Sequence, residues 1–185
     1  RRATEMRIVV APDSFKESMT AAEAAAAMAR GVRAVVPDAE VVEIPMSDGG
    51  EGFTAAVASS LGARVRRVPT VDALGRPATG RLAVAGRTAV LEMATAAGLE
   101  LIAPDERDVR RADTRGVGLM IRAALDAGAQ RLLLGIGGSA TNDGGAGMLA
   151  ELGARFLDAS GRRIGTSPDA LAALASVDLR GMDPR

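Results

Sequence analysis

Three short strings in this chain of 185 residues gather the side chains able to do chemistry. The first is Ala11-Pro12-Asp13-Ser14-Phe15-Lys16-Glu17-Ser18, which sets a carboxylate, a hydroxyl and an ammonium within four residues. Read blandly, it is a polar turn with a solvated lysine, and spacing alone does not separate the two readings. The second is Pro45-Met46-Ser47-Asp48-Gly49-Gly50-Glu51-Gly52. Gly49 and Gly50 let backbone N–H groups approach an anion at a helix start, where the dipole favours negative charge. Asp48 and Glu51 would repel a bare phosphate, so one of them is expected to cap the helix. The other then binds Mg²⁺ or a substrate hydroxyl. The third string, Gly135-Ile136-Gly137-Gly138-Ser139-Ala140-Thr141-Asn142-Asp143-Gly144-Gly145-Ala146-Gly147, has six glycines, two hydroxyls, an amide and a carboxylate. Each glycine carries an entropic cost on ordering, so so many in one loop predict a ligand cradle of backbone N–H groups. No Lys-Ser/Thr follows these glycines, so the loop is not a Walker A loop.

Composition narrows the chemistry further. The chain has no Cys and no His, which excludes disulfides, thiolate nucleophiles and imidazole acid–base catalysis. Any metal is expected to be a hard cation held by oxygens. Trp and Tyr are absent, leaving Phe15, Phe53 and Phe156 as the only aromatic surfaces. Lys+Arg 23 against Asp+Glu 23 gives zero net charge, which argues against nucleic acid as a partner. No stretch reaches the ~20 apolar residues of a membrane span, and no signal-type segment follows Arg1–Glu5, so a cytoplasmic location is expected.

The strings need elements to hold them. Arg7 to Pro12 reads as a buried strand. Thr20 and Glu23 form a capping box opening a helix to about Val36, with Met28, Val32 and Val35 as its packing face. Val41–Ile44 is a second strand. Asp48 and Glu51 repeat the capping-box spacing ahead of a helix marked by Phe53, Val57 and Leu61, and Ala63–Val68 is a third strand. This β-α-β-α-β order predicts a parallel sheet with right-handed crossovers over residues 1–68. From residue 69 the pattern changes. Strands near Gly80–Val84 and Thr88–Glu92 read as a hairpin, and Thr114–Ala127 as a helix. Arg131–Ile136 is an apolar strand, Met148–Leu152 a helix and Ala154–Leu157 a strand. The expectation is an α/β protein, a Rossmann-like parallel sheet followed by part of a second α/β domain at 69–185. All three strings then follow strand ends, where open α/β sheets bind ligands.

Two readings of the third string compete. Gly135-x-Gly137-x-x-Ala140, with Asp158 about 20 residues on, fits a permissive dinucleotide fingerprint. Against it, Gly144, Gly145 and Gly147 would fall in the first turns of the required helix, at up to ~1 kcal/mol each. An NAD-binding oxidoreductase is the alternative to a phosphate-transfer site.

Taken together, the three strings resemble the type 1 glycerate kinase family in order and spacing, and the likeness runs from Met6 to the last residue. That resemblance implies ATP-dependent phosphorylation of D-glycerate with Mg²⁺, 2-phosphoglycerate being favoured over 3-phosphoglycerate. Because phosphoryl transfer needs positioning and stabilisation of negative charge, Lys16 is expected to neutralise charge on the glycerate carboxylate or the transferred phosphate, with Ser14 orienting it. Asp48 would bind or deprotonate the substrate hydroxyl, and Asp13 is a second candidate for that role. Gly49, Gly50, Gly137, Gly138, Ser139, Thr141 and Asn142 would hold phosphate or substrate, with Asp143 near the metal. Thr114 matches a Thr-Tyr-Gly-Thr-Gly-Glu type segment that reads Thr114-Arg115-Gly116-Val117-Gly118-Leu119 here. Family members are much longer than this chain, with a first domain completed by a C-terminal segment. A truncated, inactive kinase fragment, self-associating through unpaired sheet edges, is therefore a further expectation. Partners expected are D-glycerate and ATP, with neither nucleic acid nor membrane.

Overall fold

The computed structural model describes residues 6–15 and 18–185, divided into two units between Asp48 and Gly49. In the first unit, β1 (Arg7–Val10) pairs in parallel with β2 (Glu40–Glu43), Arg7 opposite Glu40 and Val10 opposite Glu43. The crossover is α1 (Ala21–Val35). Its N-cap Thr20 forms the expected box: the Glu23 N–H donates to Thr20 Oγ1 at 3.2 Å, and the Thr20 N–H to Glu23 Oε2 at 2.8 Å. The packing face is narrower than the spacing of large residues predicts. Ala24, Ala25 and Ala29 are the buried residues of α1, while Met28 and Val35 lie on the flank and are exposed. Small side chains let the helix approach close, and the larger ones are left at the margin.

The second unit is built on a sheet in the order β3-β4-β5-β6. Its strands are β3 (Val65–Val71), β4 (Pro77–Ala85), β5 (Thr88–Glu92) and β6 (Arg131–Gly135). β3 runs antiparallel to β4, not as a third parallel strand beside β1 and β2, so the sheet expected over residues 1–68 stops at two strands. The short connection from Val71 to Pro77 explains the antiparallel pairing of β3 with β4, because a parallel pairing needs a crossover of a dozen residues or more. Asp72 builds that turn: its Oδ1 accepts the Leu74 and Arg76 N–H groups at 2.9 Å each, and its Oδ2 accepts Arg76 Nε at 2.6 Å. Burial works against the charge on Asp72, but the bonds from Arg76 and Leu74 outweigh it and hold the carboxyl below its usual range. β4 and β5 form the predicted hairpin, and β5 pairs in parallel with β6.

Alternation along the strands sends side chains to two faces. Leu82 and Leu91 join Val68, Val117, Met120 and Ile121 in the main core, under α3 (Arg115–Asp126). Ala83 and Val90 point the other way, onto Ala58 with Phe53 and Val57 of α2 (Phe53–Ser60). The apolar run of β6 suggests a strand covered on both sides. It lies at the sheet edge instead, and Leu132 and Leu133 keep more than a third of their surface exposed. A smaller cluster of Ala146, Ala154 and Phe156 joins α4 (Ala146–Glu151) to β7 (Arg155–Leu157), which pairs with β8 (Ser176–Asp178) beyond the short α5 (Pro168–Leu171). Among the described residues no helix is long and apolar enough to cross a membrane.

Candidate active site

In the first unit the parallel pairing continues past the strand ends. The Ile44 N–H donates to the Val10 carbonyl at 2.8 Å and the Met46 N–H to the Pro12 carbonyl at 2.9 Å. Asp13 then ties the two loops: its Oδ1 accepts the Ser14 N–H at 2.6 Å and its Oδ2 accepts the Asp48 N–H at 3.1 Å. Asp13 is half-buried, and Ser14 and Asp48 are exposed. Two of the three predicted catalytic residues are thus brought together at the strand tips. Lys16 lies outside the described residues.

In the second unit Gly49, Gly50 and the glycine-rich string meet backbone to backbone. The Gly137 N–H donates to the Gly49 carbonyl at 2.9 Å. A Cβ on Gly137 would come within 2.7 Å of Gly50 N and Cα, and one on Gly135 within 2.6 Å of the Gly49 carbonyl oxygen. These glycines are therefore needed to let two main chains touch, a reason independent of any ligand. Behind the loop, the Leu99 N–H donates to the Gly138 carbonyl and the Ala140 N–H to the Ala97 carbonyl, both at 2.8 Å. This leaves Ser139 and Thr141 half-buried, their hydroxyls 2.9 Å apart, with Asn142 exposed beside them.

Asp143 and Thr114 are placed differently from the expectation. Asp143 is only 4% exposed, and its Oδ2 accepts the Thr114 N–H at 2.8 Å, the Thr114 hydroxyl at 2.7 Å and the Gly147 N–H at 2.9 Å. Its Oδ1 accepts the Gly145 N–H at 3.2 Å, and Thr114 Oγ1 in turn accepts the Met148 N–H at 2.9 Å. The pair braces the N-termini of α3 and α4. Gly118 and Gly147 permit that approach, since a Cβ on each would come within 2.6 Å of Glu151 Cβ and 2.5 Å of the Arg115 nitrogen, while Gly116 lets α3 lie against β3, where a Cβ would meet the Val71 carbonyl oxygen at 2.0 Å. Asp143, expected near a metal, and Thr114, expected at a ligand, thus hydrogen-bond to each other in this structure. Among the described residues no group of three or more acidic side chains gathers as a cation site. The dinucleotide reading fails on the same geometry. α4 starts at Ala146, well past Ala140, and the Asp158 carboxylate is held by Ser160 and Arg162.

Glu92 is the residue that sequence reasoning missed. It ends β5 opposite Gly135, is fully buried, and its Oε2 accepts the Thr54 N–H at 2.7 Å. The predicted box at Asp48 and Glu51 does not open α2, whose N-cap is Gly52 at φ +86°, a left-handed residue with no side chain to offer. The available signal was an acid directly after the apolar run Ala89-Val90-Leu91. A second overlooked signal is that Asp-Gly-Gly-x-Gly occurs twice, at 48–52 and at 143–147.

Comparison with known proteins decides what this arrangement belongs to. The family model described as "Glycerate kinase family" matches residues 8–185. The chain belongs to the glycerate kinase family. It is 50% identical over 182 residues to the glycerate kinase of Bacillus subtilis (strain 168), and 44% identical over 182 residues to the glycerate 2-kinase of Escherichia coli (strain K12). In both cases the match covers 97% of this chain and 48% of the relative, so the chain spans about half the length of the curated relatives it matches. A crystal structure assigned as a glycerate kinase 2 from Salmonella typhimurium LT2 superposes with a TM-score of 0.84 at 45% identity, covering 97% of this chain and 49% of that one. The α/β fold described above is therefore that of the family.

Proposed function

We propose that the protein transfers the γ-phosphoryl group of ATP to the 2-hydroxyl of D-glycerate, in the cytoplasm. The observation that carries this reading is the family match over residues 8–185, supported by a relative named for the 2-position. The placement of Asp13, Ser14 and Asp48 together agrees with it. Phosphoryl transfer asks the protein for in-line positioning and charge stabilisation rather than covalent work, which carboxylates, hydroxyls and an ammonium can supply. In this reading Asp48 accepts the proton of the attacking hydroxyl as that oxygen bonds to the γ-phosphorus. The β–γ bridging oxygen leaves with ADP. Asp13 holds Asp48 and Ser14 through their backbone N–H groups, and Lys16 offsets negative charge on the glycerate carboxylate or the moving phosphoryl group. The loop of Gly137, Gly138, Ser139, Thr141 and Asn142, with Gly49 and Gly50, holds phosphate or substrate. Mg²⁺ would arrive with the triphosphate and screen its charge.

The test is an ADP-release assay with ATP, Mg²⁺ and D-glycerate, followed by ³¹P NMR of the product. Release that requires glycerate and yields 2-phosphoglycerate supports the reading. Formation of 3-phosphoglycerate would move the acceptor to the other hydroxyl, and absence of glycerate-dependent ADP would sink the kinase assignment. ATP–Mg²⁺ should also raise the melting temperature where NAD(H) does not, because only a ligand of the folded state stabilises it.

A further inference from the structure

We propose that Glu92 is a positioning residue for this reaction, holding the Gly49–Gly52 segment in register with the glycine-rich loop. The inference rests on the kinase reading above. Three observations carry it. First, the Glu92 carboxyl is 0% exposed and reaches across from β5 to the N-terminal turn of α2, where it accepts the Thr54 N–H at 2.7 Å. A helix N-terminus leaves its first amides unbonded, and Gly52 supplies no side-chain cap, so Glu92 caps the helix from another strand. Second, the segment ahead of that helix is fastened at its other end by the bond from the Gly137 N–H to the Gly49 carbonyl. Gly49 to Thr54 is thereby pinned to the tips of two neighbouring strands, since Glu92 and Gly135 are register partners on β5 and β6.

Third, Glu92 is costly for the packing it provides. Its Oε1 and the Thr54 hydroxyl oxygen are both buried without a hydrogen-bond partner among the described residues. An unsatisfied buried polar atom costs stability, and an apolar side chain of similar volume would fill the space more cheaply. What an apolar residue cannot supply is a directed acceptor at the end of α2. The role of Glu92 is therefore geometric: it fixes where the glycine backbone of the segment stands. Asp143 does the corresponding work in the second Asp-Gly-Gly-x-Gly string, accepting the Gly145 and Gly147 N–H groups at the start of α4.

The experiment compares the intact wild-type protein with E92Q, E92D and T54P. Glutamine keeps an acceptor at the same reach, aspartate keeps the carboxyl group but withdraws it by one methylene, and proline in a first helical turn deletes the donor while preserving the helix. Glycerate and ATP kinetics are measured alongside hydrogen exchange at the Thr54 amide. E92Q should stay within threefold of wild type in kcat/KM, with the Thr54 amide equally protected. E92D and T54P should each lose at least tenfold in kcat/KM, carried by KM, and exchange in E92D should quicken at least tenfold. The proposal is overturned if E92D matches wild type, if E92Q falls as far as E92D, or if the loss lies in kcat while Thr54 stays protected. Should E92D not fold, T54P and E92Q decide the matter. If wild type itself releases no glycerate-dependent ADP, the kinase reading fails, while Thr54 exchange still reports whether Glu92 holds the segment.

Discussion

Asp48-Gly49-Gly50-Glu51-Gly52 and Asp143-Gly144-Gly145-Ala146-Gly147 are nearly the same string, and each runs into a helix behind a glycine in the left-handed region, Gly52 at φ +86° and Gly145 at φ +80°. Their aspartates have different lives. Asp143 is buried, with four donors on its carboxylate, and it holds two helix ends together. Asp48 is exposed at a strand tip, its backbone N–H donated to Asp13, and α2 after it is capped from β5 by Glu92. A motif of this kind does not state whether its acid serves structure or chemistry. The source of the helix cap differs between the two, and in the proposed function so do the roles of their acids.

That contrast can be broken by experiment. Truncation of the buried acid in D143A should produce the largest effect, a loss of about 3–5 kcal/mol in denaturant unfolding, because several buried donors lose their acceptor at once. An unfolding midpoint close to wild type would remove Asp143 from its bracing role. For the exposed partner, D48N should lower kcat by about a hundredfold, equivalent to ~2.7 kcal/mol of barrier, with the melting temperature nearly unchanged. A large stability loss in D48N would make the two aspartates alike after all. G137A, which drives a methyl group into Gly50, should destabilise by about 1–3 kcal/mol through overpacking and should raise KM as well. An unaltered melting curve would show that the two backbones stand further apart than described.

The smallest effect expected is one of pH on α1. The Thr20 backbone N–H, and then its hydroxyl, hold the Glu23 carboxyl below its usual range. Glu23 is therefore ionised more readily folded than unfolded, and its cap contributes fully above the ordinary glutamate pKa. The contribution fades as pH falls through the lower folded value. Helix content by circular dichroism should thus decline in strongly acidic buffer, less steeply in E23A; identical acid profiles would dismiss the box as a source of pH dependence.

Local devices were legible from the residues alone. The Thr20–Glu23 box closes over three residues, and the β4–β5 hairpin has a turn of two, so short-range chemistry determines both. Non-local pairings were not legible. The cap of α2 comes from 38 residues away, which no spacing around Asp48 and Glu51 could reveal. The direction of β3 depends on its partner, and an apolar run carries no mark of which strand will lie beside it. The glycines of the third string were read as a ligand cradle, yet Gly135 and Gly137 answer first to Gly49 and Gly50. Asp143 is expected near a metal and Thr114 at a ligand contact; no spacing showed that the two, 29 residues apart, bond to each other. Of the residues expected at the site, Asp13, Ser14 and Asp48 stand together in the first unit, and Gly49, Gly50 and Gly137 in the second.

The meeting of Gly137 with Gly50 has a mechanical consequence. Where side chains separate two segments, rotamer changes can absorb a small displacement of either one. Here only hydrogens lie between the chains, and the bond from Gly137 to Gly49 adds a second constraint. A shift of a few tenths of an ångström in one loop must be matched by its neighbour, so the two behave as a single stiff plate, with no compliant layer to damp what one transmits to the other.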